Sequence, residues 1–287
     1  MMKKTLLTLT LLASTSIALA QTLATVNGTK IDSKEIDQQI AALKKQSNGQ
    51  IQDSPELRNS ILSRMVVHTV IVQEARKLKL DESKEYKDIV AQAAADASKS
   101  GEDKKSGFKQ EFEAFKENLL EQAYAVHILQ TNPVSDKEVR SEYDEMSKFY
   151  KGSQEVQLAE IVTKTEADAQ KVLAELKAGK KFADVAKQYT IDEVGKKNGG
   201  LHQGYINLKD MAVGAPPLHA AINPLKKGQY TTGALSTGEI FAIFSVQDKR
   251  TAKIPPFEQV KDSLTAQLQD QRVNQAIDAL MKKATIK

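Results

Sequence analysis

Gly179-Lys180-Lys181-Phe182-Ala183-Asp184-Val185-Ala186, together with the Gly199-Gly200 pair downstream, decides how this 287-residue chain is read. Gly179 closes one helix, as a glycine past the last apolar repeat does. Phe182, Val185, Ala186 and Tyr189 then recur at helical spacing and predict a second, short helix. The adjacent glycines predict a turn into an extended run from Leu201 to Ile206. Upstream lies Glu155-Val156-Gln157-Leu158-Ala159-Glu160-Ile161-Val162. There Val156, Leu158 and Val162 alternate with Gln157 and Thr163, which predicts a strand. Thr165 caps the first helix, whose inner residues are Ala169, Val172, Leu173 and Leu176. Downstream, Pro216-Pro217 opens a short helix through Ile222, Lys227-Gly228 turns the chain, and residues 240–246 form a last apolar strand ending near Arg250. The order is β-α-α-α-β-β, within residues 153–250.

The flanks read differently. Val26-Asn27-Gly28-Thr29 predicts a hairpin, because both central residues tolerate positive φ. Asp32 and Glu35 have capping-box spacing, with Ile36, Ile40 and Leu43 following at helical spacing. Ser54-Pro55-Glu56 opens a longer helix bearing Leu57, Ile61, Met65 and Val72. A third helix runs over about residues 83–97, and the polar residues 98–107 predict a mobile loop. A fourth carries Phe108, Phe112, Phe115, Leu119, Ala123 and Val126, and Pro133 breaks it. Ser135 and Glu138 predict a capping box for a fifth. Residues 21–150 therefore read as a helical lobe. Past Pro255-Pro256, the tail 255–287 reads as one long amphipathic helix bearing Phe257, Val260, Leu264, Leu268, Val273, Ile277 and Leu280. Its apolar face has no cover within its own segment, so it is expected to dock on the N-terminal lobe. The fold class expected is α+β: a helical lobe plus a small antiparallel sheet with flanking helices.

The N-terminus predicts the compartment. Lys3 and Lys4 precede an apolar run too short to span a bilayer, and Ala18-Leu19-Ala20 has the small-x-small form that signal peptidase cuts. Residues 1–20 are thus expected to be a signal peptide, and the protein to be exported to the periplasm or cell envelope without stable membrane insertion. The chain holds no Cys, which excludes disulfides, thiolate metal sites and a Cys-linked lipid anchor. The formal charge of +4 falls near +2 once Lys3 and Lys4 leave. Acids interleave with the remaining bases and Trp is absent, so no nucleic-acid stripe is expected. No cofactor and no metal site is expected.

Those motifs resemble a parvulin-type peptidyl-prolyl isomerase (rotamase) domain: the strand at 155–162, G-x-x-F-A-x-x-A, Gly199-Gly200 and Lys226-Lys227-Gly228-Gln229. The hairpin entry and the C-terminal helix are similar to those of the SurA and PrsA foldases, where N-terminal helices and the last helix build a chaperone lobe around a parvulin domain. The resemblance implies a chaperone whose partners are unfolded or proline-containing exported polypeptides. It also implies two active-site imidazoles, one on the first strand and one on the last, beside an Asp or Cys.

The chemistry says what such a site needs. Rotation about X-Pro crosses about 18–20 kcal/mol because the amide loses resonance. Catalysis requires a slot for the ring and polar groups that hold the twisted amide better than the planar one. In this sequence the two His positions fall at Glu160 and Ala242. After Gly199-Gly200 stands Leu201-His202-Gln203-Gly204-Tyr205, one residue longer than the family run and without its acid. The candidate catalytic residues are Glu160 and His202. The candidate substrate-binding residues are Met211, Pro217, Leu218, Tyr205 and Phe241. Four of them have a plainer alternative: Met211 and Leu218 as core, His202 as an idle loop residue, Glu160 as a rim carboxylate beside an apolar set. His68 is expected to be a packing or surface residue. The expected function is an envelope folding factor whose isomerase activity is weak or lost. The alternatives are an active prolyl isomerase or a structural surface protein.

Overall fold

Asn27 and Gly28 sit at φ +49° and +89°, the left-handed pair that a two-residue hairpin demands. They join β1 (Thr22–Val26) to β2 (Thr29–Asp32) in the computed structural model, which describes residues 21–287. The expected signal peptide lies outside the described residues. These residues form two compact units, one running up to Val134 and taking in Thr265–Lys287, the other Ser135–Leu264. Both are rich in helix, each with a small antiparallel sheet.

In the first unit, the hairpin leads into α1 (Ser33–Gln46), α2 (Pro55–Lys77), α3 (Lys84–Ser100) and α4 (Phe108–Thr131). Ser54 caps α2 by accepting from the Leu57 N–H at 3.2 Å, and Ser83 does the same for α3 through Tyr86. The capping box expected at Asp32 is half made. Asp32 is the N-cap but forms no side-chain cap bond; its carboxylate accepts from the Thr22 hydroxyl at 2.9 Å instead, a local competitor for the same oxygen. The loop expected over 98–107 is mostly taken up by the end of α3 and a one-turn 3-10 helix, Glu102–Lys104.

The tail helix α11 (Phe257–Lys283) brings Ile277, Leu280 and Met281 against buried residues of the hairpin, α2 and α4. The last residues then do something their sequence does not announce. Thr25 and Lys287 exchange backbone hydrogen bonds at 2.9 and 3.1 Å, and the Asn27 N–H donates to the Thr285 carbonyl at 2.9 Å. The C-terminus thus lines the hairpin as a third extended segment. Arg272 closes the end of α4 by donating to the carbonyls of Asn132 and Pro133.

His68 of α2 stands between two carboxylates of α4, with Nδ1 2.8 Å from Glu121 and Nε2 3.6 Å from Glu117. The Glu117 contact above all, opposed by burial, holds its pKa above the ordinary imidazole range. A raised folded-state value means that the stabilisation is complete below about pH 6.5 and is lost as pH rises through the folded value. His68→Gln is therefore expected to lower the melting temperature at about pH 5.5 and to change it little at about pH 9. Equal losses at both would show that the ring contributes packing alone.

The second unit begins earlier than the expected boundary near residue 150. α5 (Asp136–Tyr150) clusters with it, because Tyr143 stacks edge-on against Phe257 and donates to the Pro255 carbonyl at 3.0 Å. The Ser135–Glu138 capping box is fully formed. β3 (Gln154–Thr163) leads to α6 (Glu166–Lys177), α7 (Phe182–Tyr189) and α8 (Glu193–Asn198). β4 (Ile206–Asn207), α9 (Leu208–Gly214), α10 (Pro216–Ile222), β5 (Leu235–Ser236) and β6 (Phe241–Thr251) complete it. The sheet order is β4-β3-β6-β5, all antiparallel. The observed order, β-α-α-α-β-α-α-β-β, differs from the expected β-α-α-α-β-β: α8, α9 and β5 are additions, and β4 comes before α10 instead of after the last helix. Each spans seven residues or fewer, too little for periodicity to register.

Candidate functional site

The two faces of β3 set up the site. Odd positions such as Ile161 pack with Ile243, Ala169, Val172, Val185 and Ala186 under α6 and α7. Even positions Val156 and Leu158 pack with Phe244, Val246, Leu208, Met211 and Ile222 under α9 and α10. Glu160 is the next even position, opposite Phe244, and Val162 follows, opposite Ala242. Glu160 and Ala242 are thus diagonal neighbours on one face, where the resemblance places two imidazoles.

The glycine pair brings a third group there. Glu160 N–H donates to the Gly200 carbonyl and His202 N–H to the Leu158 carbonyl, both at 2.9 Å, so residues 200–202 run along the outer edge of β3. Gly200 has φ +79°, and a Cβ on it would lie 2.2 Å from the Glu160 carbonyl oxygen. Gly199 has φ +73°, and its Cβ would lie 2.7 Å from the Ala183 side chain. Ala183 belongs to the Phe182-Ala183 helix start, so the two halves of the sequence motif meet at one contact. Only glycine allows both the backbone sign and the approach.

His202 stands one strand pleat beyond Gly200, on the Glu160 face. Its Nε2 lies 3.0 Å from Glu160 Oε2. The Glu160 bond chiefly, opposed by burial and aided slightly by the Asp192 charge, holds the His202 pKa above the ordinary imidazole range. The pair borders a cleft of about 390 Å³ that Val162, Thr190, Asp192 and Asn198 also line. Most of these groups are internally engaged. Thr190 Oγ1 accepts from Val162 N–H at 3.1 Å, Asp192 caps α8 through Val194 and Gly195 N–H, and Asn198 bonds the Gly200 N–H and Leu201 carbonyl.

The structure therefore brings Glu160 and His202 together but scatters the expected substrate residues. Met211 is 4 % exposed and belongs to the even-face core, and Leu218 packs on the same core. Pro217 is exposed in the first turn of α10. Phe241 pairs with Thr163 and packs against the odd-face core, because strand side chains alternate and Ala242 takes the even face, where it is buried in the core. Tyr205 also lies against the odd face. Its hydroxyl donates to Asp248 at 2.7 Å and the Arg250 guanidinium lies 3.4 Å over its ring. Those partners stand opposite Gln157 and Glu155, so a polar network on the odd face claims Tyr205. Sequence reasoning missed Thr190, Asp192 and Asn198. The one signal for them was Asp192 just ahead of a short Glu-Val-Gly-Lys-Lys-Asn run, an N-cap pattern.

Two family models match the chain. Residues 134–262 match the PPIC-type PPIase domain and residues 5–124 the SurA-like N-terminal domain. The chain is 28 % identical to a probable parvulin-type peptidyl-prolyl cis-trans isomerase of Bordetella pertussis, over 94 % of this chain and 93 % of that one. It is 29 % identical to the foldase protein PrsA of Clostridium kluyveri, over 92 % and 87 %. Among solved structures, PrsA from Bacillus cereus aligns over 93 % of both chains at 22 % identity and a TM-score of 0.40. A SurA-like chaperone of Campylobacter jejuni aligns over 92 % and 96 % at 23 % identity and a TM-score of 0.34. The two domain matches together support a role in protein folding. Among the described residues no helix is long and apolar enough to cross a membrane.

Proposed function

We propose that this chain, which joins a SurA-like N-terminal domain to a PPIC-type isomerase domain, is an exported folding factor that binds unfolded polypeptides and isomerises prolyl bonds weakly or not at all. One observation carries the reading: on the even face of β3 and β6, the position opposite Val162 is Ala242, and the Glu160 carboxylate is tied to His202. A methyl group offers a twisted amide nothing. A carboxylate offers only acceptors and repels the substrate carbonyl rather than polarising it. Rate enhancement requires groups that favour the twisted amide over the planar one, and these two positions supply none.

Polypeptide binding has separate support in the helical unit. No residue of α3 is buried. Ile89 and Val126 stand 45 % and 52 % exposed beside a groove of about 300 Å³ that Tyr86, Leu80, Leu119 and Ala123 also line. These adjoining apolar side chains give an extended apolar segment something to lie against. The clients proposed are unfolded or proline-containing exported polypeptides, met in the periplasm or cell envelope.

The test is aggregation of a chemically unfolded, proline-containing exported protein on dilution, followed by light scattering. Stoichiometric chain is expected to suppress the scattering, and Ile89→Asp with Val126→Asp to reduce that suppression at least about threefold. Scattering unchanged by the wild-type chain at fivefold excess would remove the folding-factor reading.

A further inference from the structure

We propose that His202 is the polypeptide-recognition group of the second unit: Glu160 fixes its Nε2, and the protonated ring presents Nδ1–H to a backbone carbonyl entering the cleft. This rests on the reading of the chain as a polypeptide binder and names the atom through which the isomerase domain takes part.

The argument begins with what the cleft has left to offer. The oxygens of Asp192 receive the amides of Val194 and Gly195, and Thr190 Oγ1 receives that of Val162. Asn198 spends its carbonyl on Gly200 N–H and its amide on the Leu201 carbonyl. The Gly200 carbonyl holds Glu160 N–H. Without a partner among the described residues are Gln203 at the exposed rim, the second Glu160 oxygen, the hydroxyl proton of the buried Thr190 and the Nδ1 atom of His202; of these Nδ1 alone can become a positively charged donor. The His202 side chain is 41 % exposed, so Nδ1 is within reach of a ligand. Val194 and Leu201 line the same cleft and are 66 % and 40 % exposed, which gives an entering chain apolar contact beside the polar one.

Proton bookkeeping then sets the ligand. An ionised carboxylate only accepts, so the nitrogen facing Glu160 carries the proton in either state of the ring. In the neutral ring Nδ1 is consequently an acceptor and meets a carbonyl oxygen lone pair to lone pair. In the imidazolium Nδ1 becomes a donor, and a hydrogen bond from a charged donor is stronger than a neutral one. The imidazolium and carboxylate together are neutral, so the site favours an uncharged backbone carbonyl over an anion. The titratable groups lining the cleft are Glu160 on β3, Asp192 ahead of α8 and His202 itself. Both acids favour the charged ring, and the His202 pKa is raised accordingly. Binding therefore tightens as pH falls through the His202 value and weakens above it.

The experiment uses the purified full chain and the peptide tetramethylrhodamine-Gly-Ala-Pro-Phe-Gly-amide, whose N-terminal dye keeps its charge and emission over the range, in fluorescence anisotropy at about pH 5.5, 7 and 8.5, on either side of the ordinary imidazole value. Wild-type affinity is expected to fall about tenfold from the lowest to the highest pH, the size of one charge-assisted hydrogen bond. His202→Gln is expected to bind independently of pH, at the strength of the wild type at high pH. Glu160→Gln is expected to move the midpoint to lower pH. The imidazole nitrogen shifts of His202 in the wild type, which need no variant to fold, are expected to move at Nδ1 on peptide addition while Nε2 stays. A pH-independent wild-type affinity, or a pH dependence surviving in His202→Gln, overturns the assignment. Failure of the peptide to bind at any pH while the chain still suppresses aggregation also overturns it, but leaves the folding-factor reading standing. Loss of both removes both.

Discussion

Truncation after Leu264 is expected to unfold the N-terminal unit and leave the second unit folded. The segment removed, residues 265–287, clusters entirely with the N-terminal unit. It supplies Ile277, Leu280 and Met281 to two apolar clusters and closes the hairpin through the Thr25–Lys287 and Asn27–Thr285 backbone bonds. A fully buried side chain of this kind contributes about 1.5–3 kcal/mol. Three in partial burial, with the stranded amides of Thr25 and Asn27, approach the roughly 5–15 kcal/mol that holds a domain together. The cut position matters. Removing residues 255–287 also strips Phe257, and with it the Tyr143 ring contact and the Arg140 guanidinium 3.5 Å over the ring, so the shorter cut is the cleaner experiment. Two calorimetric transitions in the intact chain should become one. An unchanged pair of transitions would show that the tail is an appendage.

Gly200→Val is expected to be the most damaging single substitution in the second unit. The new Cβ meets backbone, at 2.2 Å from the Glu160 carbonyl oxygen, and a β-branched residue is forced to positive φ. The φ penalty alone is about 1–3 kcal/mol. The displaced strand edge adds to it, so a fall in melting temperature of roughly 10 °C or more follows. Gly204→Ala is the control. Gly204 also has positive φ, +87°, but nothing lies within 4 Å of its missing Cβ, so its cost is confined to about 1 kcal/mol of backbone strain. Equal losses at the two positions would show that the close approach to Glu160 carries no weight. The same substitution separates His202 from Glu160, since residues 200–202 are what hold the ring there.

What the sequence exposed were features whose cause is local. The hairpin rests on Asn27-Gly28, the α5 cap on Ser135 and Glu138, and β3 on the alternation of Val156, Leu158 and Val162. The approach of Glu160 to His202 was legible only as two candidates, because nothing in the spacing of residues 160 and 202 states that Gly200 lies against the Glu160 backbone. The features that escaped depend on distant partners. The C-terminal residues find the hairpin across the length of the chain. α5 joins the second unit through Phe257. The face that Phe241 takes is not legible either, because one strand position decides it and the register is set by pairing with β3 rather than by β6 itself. Tyr205 was lost to Asp248 and Arg250, two residues whose positions opposite Gln157 and Glu155 follow from that same register.

The most direct test of the account is proline-limited refolding of a model protein in the presence of catalytic amounts of the full chain. The slow phase, which takes tens to hundreds of seconds at 25 °C, is expected to keep its rate, while stoichiometric chain raises the yield of refolded protein. A slow phase that accelerates in proportion to the chain, and returns to its uncatalysed rate with Glu160→Gln, would contradict the account and make Glu160 a working catalytic residue.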